Sequence, residues 1–252
     1  MVKIIISGCN GKMGQVITGL CKEDPSVEIA AGIDIRNDIQ NPYPVYTDFT
    51  SCGVPADVIV DFSNADAADE LLEYCVNRQM PLVLCTTGLS DEQLEAVKAA
   101  SEKVAILRSA NMSLGINTLL SLLKTAARIL APAGFDMEIV EKHHNRKLDA
   151  PSGTAIAMAD AMNSALENDY DYVYDRSGER RQRDPYEIGI QSVRGGNIVG
   201  EHEVIFAGTD EVITFKHQAT SRAVFGKGAL EAAKFLAGKP AGMYSMSDVI
   251  EG

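Results

Sequence analysis

The chain begins with a short β-branched run, Val2-Lys3-Ile4-Ile5-Ile6-Ser7, that gives way at once to Gly8-Cys9-Asn10-Gly11-Lys12-Met13-Gly14. A run this short, rich in isoleucine and closed by glycine, reads as a buried parallel strand rather than a helix. The G-x-x-G-x-x-G spacing then opens a helix. Strand, glycine turn and helix in that order bring backbone N–H groups against a pyrophosphate. The spacing is a variant of the commoner G-x-G-x-x-G, and glycines at such a turn also serve plain packing or positive φ angles. Either way, this opening predicts an α/β layout.

The same alternation continues, with strands expected over 27–34, 57–63, 81–87 and 104–110 and helices over 65–78 and 91–102. Ser63 and Asn64 stand as start signals for the first helix, and Ser90 with Gln93 as a capping box for the second. Strands alternating with helices imply right-handed crossovers, hence a Rossmann-like, doubly wound parallel sheet. After Asn111 the character changes. Residues 114–130 read as a long apolar helix, 136–144 as a strand and 152–167 as another helix. Three strand-like runs follow at 187–194, 201–207 and 211–220, joined by Gly-Gly-Asn and Gly-Thr-Asp turns at hairpin spacing. This half is expected to be a second α+β domain with a mixed, mostly antiparallel sheet. Residues 226–237 return to helical periodicity, so the C-terminal end is expected to pack back on the first domain. The resulting division is 1–112 with 220–252 for dinucleotide binding and 113–219 for substrate binding and oligomerisation. The crossings near Ser113 and Ala219 are candidate hinges.

A net charge of −12 argues against nucleic acid as a partner, because phosphate binding rests on clustered cations. No apolar run approaches the roughly 18 to 20 residues that cross a bilayer, and no signal peptide precedes the first strand, so a cytoplasmic protein is expected. The five cysteines lie within the first 85 residues and the four histidines beyond residue 142, so no local Cys/His metal cluster is expected. In an acidic chain any anionic ligand needs a local positive pocket.

One stretch supplies it. Lys142-His143-His144-Asn145-Arg146-Lys147 is far more cationic than the chain around it, a density suited to a small polyanion. Leaving a strand into a loop, His143 and Lys147 can converge on one ligand, a titratable acid beside a fixed charge. A solvated strand end is the other reading of the same spacing. Asp149-Ala150-Pro151-Ser152-Gly153-Thr154 follows, where Pro151 and Ser152 start a helix whose first N–H groups, around Gly153 and Thr154, can hold a carboxylate. In the first domain Asp34, at the end of the second strand, suits adenosine ribose hydroxyls, or is an ordinary strand-end turn residue. Arg36 suits a 2′-phosphate that Asp34 would repel, so both NADH and NADPH are expected as cofactors. Residues 85–88 and 109–112 end later strands at the ligand edge of such a sheet. The arginine-rich stretch 176–183 reads as a solvated loop.

Together these residues resemble the 4-hydroxy-tetrahydrodipicolinate (dihydrodipicolinate) reductase family of the diaminopimelate route to lysine. The resemblance covers nearly the whole chain: residues 8–14, 85–88, 111–115, 141–147, 149–154, 192–202 and 221–225. It implies that His143 is the acid/base residue with Lys147 as catalytic partner, and that His144, Gly153 and Thr154 bind substrate carboxylates. The dinucleotide would lie on Gly8, Cys9, Asn10, Gly11, Lys12 and Met13, with Asp34 at the ribose, and on Cys85, Thr86, Thr87, Ser109, Ala110, Asn111 and Met112. Most members are expected to have glycine in place of Cys85 and phenylalanine in place of Met112. The resemblance further implies a homotetramer assembled through the second domain's sheet. The rival readings are another two-domain NAD(P)-dependent dehydrogenase, whose lysine-centred motif is absent here, and a dinucleotide-sensing regulator without chemistry, which has no need of the cationic loop.

Overall fold

The computed structural model describes every residue except Ala110, Asn168 and Glu179. In chain order it forms β1 (Val2–Ser7), α1 (Lys12–Cys21), β2 (Val27–Ile33), β3 (Val45–Tyr46) and β4 (Val58–Asp61). A 3-10 turn (Ala65–Ala67) leads into α2 (Ala68–Arg78), followed by β5 (Leu82–Leu84), α3 (Asp91–Ser101) and β6 (Ala105–Arg108). Then come α4 (Leu114–Leu130), β7 (Asp136–His143), α5 (Gly153–Ser164), β8 (Asp171–Val173), β9 (Glu187–Arg194), β10 (Gly200–Ala207) and β11 (Val212–Ala219). The chain closes with α6 (Ala223–Leu236), β12 (Gly242–Tyr244) and α7 (Met246–Glu251). These elements form two compact units, Met1–Leu114 with Arg222–Gly252, and Gly115–Ser221.

The first unit is built on a seven-stranded sheet in the order β12-β6-β5-β4-β1-β2-β3, every ladder of it parallel. Its strands read as unbroken apolar runs because both faces are covered. Ile4 and Ile6 join a core with Ile17 of α1 and Ala229, Ala233 and Leu236 of α6, while Ile5 joins another with Leu71 of α2 and Val97 of α3. Each isoleucine so buried stabilises the sheet by roughly 1.5–3 kcal/mol. The winding reverses between β1 and β4, and ligands of open α/β sheets sit at such a reversal. The expected capping box forms, with Ser90 Oγ accepting from Gln93 N and Gln93 Oε1 accepting from Ser90 N. The expected start at Ser63-Asn64 works differently: Asn64 makes no side-chain cap and Ser63 turns its hydroxyl to Asp61.

The second unit carries a five-stranded sheet in the order β11-β10-β7-β9-β8. It is mixed, with two antiparallel ladders (β10 with β11 and with β7) and two parallel ones (β7 with β9, β8 with β9). The antiparallel ladders are together the longer, as expected, and the parallel ones arise because the crossover through α5 returns the chain parallel to β7. The Gly-Thr-Asp turn makes the expected hairpin, Gly208 N donating to Glu211 O at 2.9 Å. The Gly-Gly-Asn turn does not. β7 lies between β9 and β10, and residues 195–199 arch over its end, with Gly195 N donating to His143 O at 2.9 Å. On one sheet face Met137, Ile139, Ile188, Ile190, Val204 and Phe206 pack against α4 and α5. The arginine stretch is not simply solvated: Arg183 is folded in, its guanidinium bonded to Asp136, Glu138 and the Glu187 carbonyl, and Arg176 bridges Glu138 and Glu187.

Candidate active site

At the glycine turn after β1 of the first unit, Gly8 adopts φ +77°, and a Cβ there would stand 2.6 Å from the Phe62 carbonyl oxygen. Only glycine fits that turn. The turn is tied to the end of β2: Asn10 N donates to Asp34 Oδ2 at 2.8 Å and Arg36 N donates to Asp34 Oδ1 at 2.9 Å. A carboxylate accepts about four hydrogen bonds, so Asp34 retains capacity for ribose hydroxyls. The side chains of Cys9 and Asn10 are buried, and Asn10 spends its amide on Arg36 O and Asn41, so these two residues present little to a ligand. Gly11 is the N-cap of α1 and gives no side-chain cap, so the first-turn amides of Lys12 and Met13 are left for an anion. A cavity of about 280 Å³ lies here, lined among others by Gly8, Gly11, Asp34, Arg36, Phe62 and Ser63. Arg36 is engaged by Asp38 at 2.6 Å.

Thr86, at the end of β5, is held by a residue that sequence reasoning passed over. Asp61 is fully buried and accepts from Thr86 Oγ1 and from Ser63 Oγ, each at 2.6 Å. Burial pushes its carboxyl up, against these hydrogen bonds and one from Ser7. Asp61 thus knits the ends of β1, β4 and β5 where the sheet offers its ligand edge. Thr87 is exposed beside it. Ser109 Oγ accepts from Met246 N at 2.7 Å, and Asn111 Oδ1 from Ser113 N at 2.8 Å. Cys85 and Met112 both pack into the core shared with α6. Ala110 lies outside the described residues.

In the second unit, the sheet face that is apolar beneath α4 and α5 turns polar toward the end of β7. Strand periodicity puts Glu141 and His143 on the same face as Met137 and Ile139. β9 adds Arg194, β10 adds His202, and Ser152 caps α5 above them, accepting from Ala155 N at 3.2 Å. Glu141 is fully buried. It accepts from His143 Nδ1 at 2.6 Å, from both terminal nitrogens of Arg194 at 2.8 and 2.7 Å, and from Ser152 N at 3.1 Å. Burial works against its charge, but Arg194, His143 and Ser192 outweigh burial and hold the carboxyl at about 2. Burial lowers His143 below the usual histidine range, with Glu141 opposing that and Lys147 and Arg194 adding to it. His202 packs edge-on to His143, ring centroids 5.2 Å apart, and bonds Ser152 Oγ at 2.9 Å.

Lys147 Nζ lies 2.9 Å from Asp149 Oδ2, and the same carboxylate accepts from the Gly153 backbone. A carboxylate thus already rests on the lysine and on the first amide of α5. The Ser152, Gly153 and Ala155 amides are all engaged within the chain, fewer than the free set expected of this helix start. His144 is half-buried, and its Nδ1 has no hydrogen-bond partner among the described residues. Asn145 and Arg146 are exposed. Gly200 borders the ring of His143: a Cβ there would stand 3.1 Å from Nε2. The second unit therefore brings His143, Lys147, Gly153 and Thr154 to the start of α5, and no described contact brings His144 there. Glu141, Arg194, His202 and Gly200 lie within the resembling stretches 141–147 and 192–202, and their place beside His143 is what sequence reasoning did not assign.

Residues 2–112 match the family model for the N-terminal part of dihydrodipicolinate reductase, and residues 115–250 the model for its C-terminal part. The chain belongs to the dihydrodipicolinate reductase family. It is 54% identical to a 4-hydroxy-tetrahydrodipicolinate reductase of Caldanaerobacter subterraneus subsp. tengcongensis, covering 100% of this chain and 99% of that protein. It is 48% identical to a Clostridium tetani enzyme of the same name, over 98% and 96% of the two chains. Among solved structures, a dipicolinate-bound dihydrodipicolinate reductase from Paenisporosarcina sp. TG-14 shares the fold at TM-score 0.80 and 24% identity, over 97% of each chain. A putative myo-inositol dehydrogenase from Sinorhizobium meliloti shares it more loosely, at TM-score 0.62 and 11% identity, over 99% of this chain and 93% of that one.

Proposed function

We propose that this reductase acts on 4-hydroxy-tetrahydrodipicolinate, with His143 as the proton donor and Lys147 as its catalytic partner. The observation that supports it best is the grouping of a buried imidazole, a lysine and a helix start at the end of one sheet. There a carboxylate, that of Asp149, already rests on Lys147. Overall the reaction takes up one hydride and one proton and releases one water, giving tetrahydrodipicolinate. Bound on the first unit, NADH or NADPH supplies the hydride. Lys147 with Gly153 and Thr154 takes a substrate carboxylate, and His144 contributes a further contact. His143 delivers the proton to the ring as the hydride adds. Lys147 keeps positive charge beside the dianion and opposes protonation of His143, so the acid gives up its proton readily.

For the dinucleotide, Gly8, Gly11, Lys12 and Met13 suit the phosphates through their backbone, with Cys9 and Asn10 completing the turn, and Asp34 suits the ribose. Cys85, Thr86, Thr87, Ser109, Ala110, Asn111 and Met112 are the residues we assign to the nicotinamide end. No helix among the described residues is long and apolar enough to cross a membrane. A cytoplasmic homotetramer, joined through the second unit's sheet, completes the proposal, and light scattering of the purified protein tests the assembly.

The activity is tested by following NADH or NADPH oxidation with substrate freshly made by the preceding synthase. Oxidation is expected only when that substrate is present. His143→Gln and Lys147→Ala are each expected to lower kcat by about 10²- to 10⁴-fold with cofactor affinity near wild type. Full turnover in both variants would overturn the roles given to the two residues.

A further inference from the structure

Glu141 is too fully bonded to act on substrate itself. His143, Arg194, Ser152 and Ser192 surround its carboxylate, and none of it reaches solvent. With the carboxylate ionised, the 2.6 Å contact to Nδ1 requires a proton on that nitrogen. The opposite ring nitrogen, Nε2, borders Gly200, where a side chain would cover it. We propose that Glu141, clamped by Arg194, is the positioning residue of the site, fixing the proton of His143 on Nδ1 and leaving Nε2 to exchange a proton with substrate. The proposal rests on the reading of His143 as the acid and assigns the residue that sets its tautomer and orientation.

Among the described residues, the charged and titratable groups around the ring give this role to Glu141. Arg194 from β9 and Lys147 from the loop after β7 are cationic and disfavour an imidazolium. His202 from β10 lies edge-on, with His217 of β11 opposite it in the ladder, and both are held down by burial. From α5 comes the neutral hydroxyl of Ser152. Glu141 is the group whose charge supports protonation of His143. Arg194 keeps that charge in place through a two-pronged contact, the geometry in which guanidinium and carboxylate bind most strongly.

The test compares wild type with Glu141→Gln, and with Glu141→Gln/Arg194→Met, which leaves no unpaired guanidinium should the single variant fold poorly. Two readouts are taken: the pH profile of kcat/KM, and the nitrogen shifts of the His143 ring by long-range proton–nitrogen NMR. In wild type the neutral ring is expected to carry its proton on Nδ1. In the variants the alkaline limb of the profile moves at least about one pH unit lower and the ring populates both tautomers. The kcat falls by about tenfold or more while KM for the dinucleotide holds. Glu141→Asp, which keeps the charge, is expected to restore part of the limb. An unmoved limb with an unchanged Nδ1–H signal overturns the proposal. A shifted ring titration in a protein whose His143→Gln variant keeps full turnover upholds the clamp and overturns the acid role.

Discussion

Asp149 occupies the groups that the proposed function gives to a substrate carboxylate. Its carboxylate sits 2.9 Å from Lys147 Nζ, accepts from Gly153, and is held below the usual range first by Lys147. A dicarboxylate that uses the same lysine and helix start has to displace it. Asp149 is largely exposed, so its pair with Lys147 is weak and exchange is easy. Asp149→Asn is therefore expected to lower the substrate KM by a few-fold and leave the cofactor KM unchanged. A KM raised tenfold would instead mean that Asp149 holds Lys147 in its working position. At this scale the sequence was informative about which residues carry charge and silent about who neutralises them. Glu141 and His143 are two apart on a strand, so period 2 puts them on one face, and that signal was available. Arg194 and His202 come from strands that meet β7 only through sheet order, which no local pattern encodes. The buried side chains of Cys9 and Asn10 could not be told from ligand contacts for the same reason.

The helix start of α5 is where element and site coincide. Ser152 caps the helix, bonds His202 at 2.9 Å and donates its backbone N–H to Glu141 at 3.1 Å. Ser152→Ala removes the cap and the His202 contact but keeps the backbone bond to Glu141. A destabilisation of about 1 to 2 kcal/mol is expected by denaturant titration. A loss below about 0.3 kcal/mol would show that the cap does not hold this end of α5. Legibility at this scale followed length and periodicity. The apolar stripe of α4 was strong enough to set both of its ends at Leu114 and Leu130. β3, β8 and β12 span two or three residues each and exist only through pairing with a neighbour, so they left no pattern to read. The Gly-Gly-Asn turn carried hairpin chemistry yet spans β7, because turn residues permit a reversal without specifying which strand lies alongside.

For the molecule as a whole, the buried His202 and Glu141 of the second unit contribute to how stability responds to acid. His202 is 4% exposed. Burial, then the neighbouring His143, holds its imidazole down at about 4 against an ordinary 6.5. A histidine with a lower native than unfolded value folds without its proton. Its contribution is complete above about pH 6.5 and is withdrawn as pH falls toward 4. Glu141, held at about 2 against an ordinary 4.5, acts later: its contribution is complete above about pH 4.5 and is lost as pH falls toward 2. Between pH 7 and 4.5 the His202 linkage alone removes about 2 to 3 kcal/mol. Wild-type stability measured by denaturant titration is expected to fall by that order over the window. His202→Asn, which has no proton to gain, is expected to start lower at pH 7 and to lose correspondingly less by pH 4.5. Parallel curves for the two proteins would show that the imidazole gains its proton without cost in the native state, and so that the contacts with Ser152 and His143 do not require it neutral.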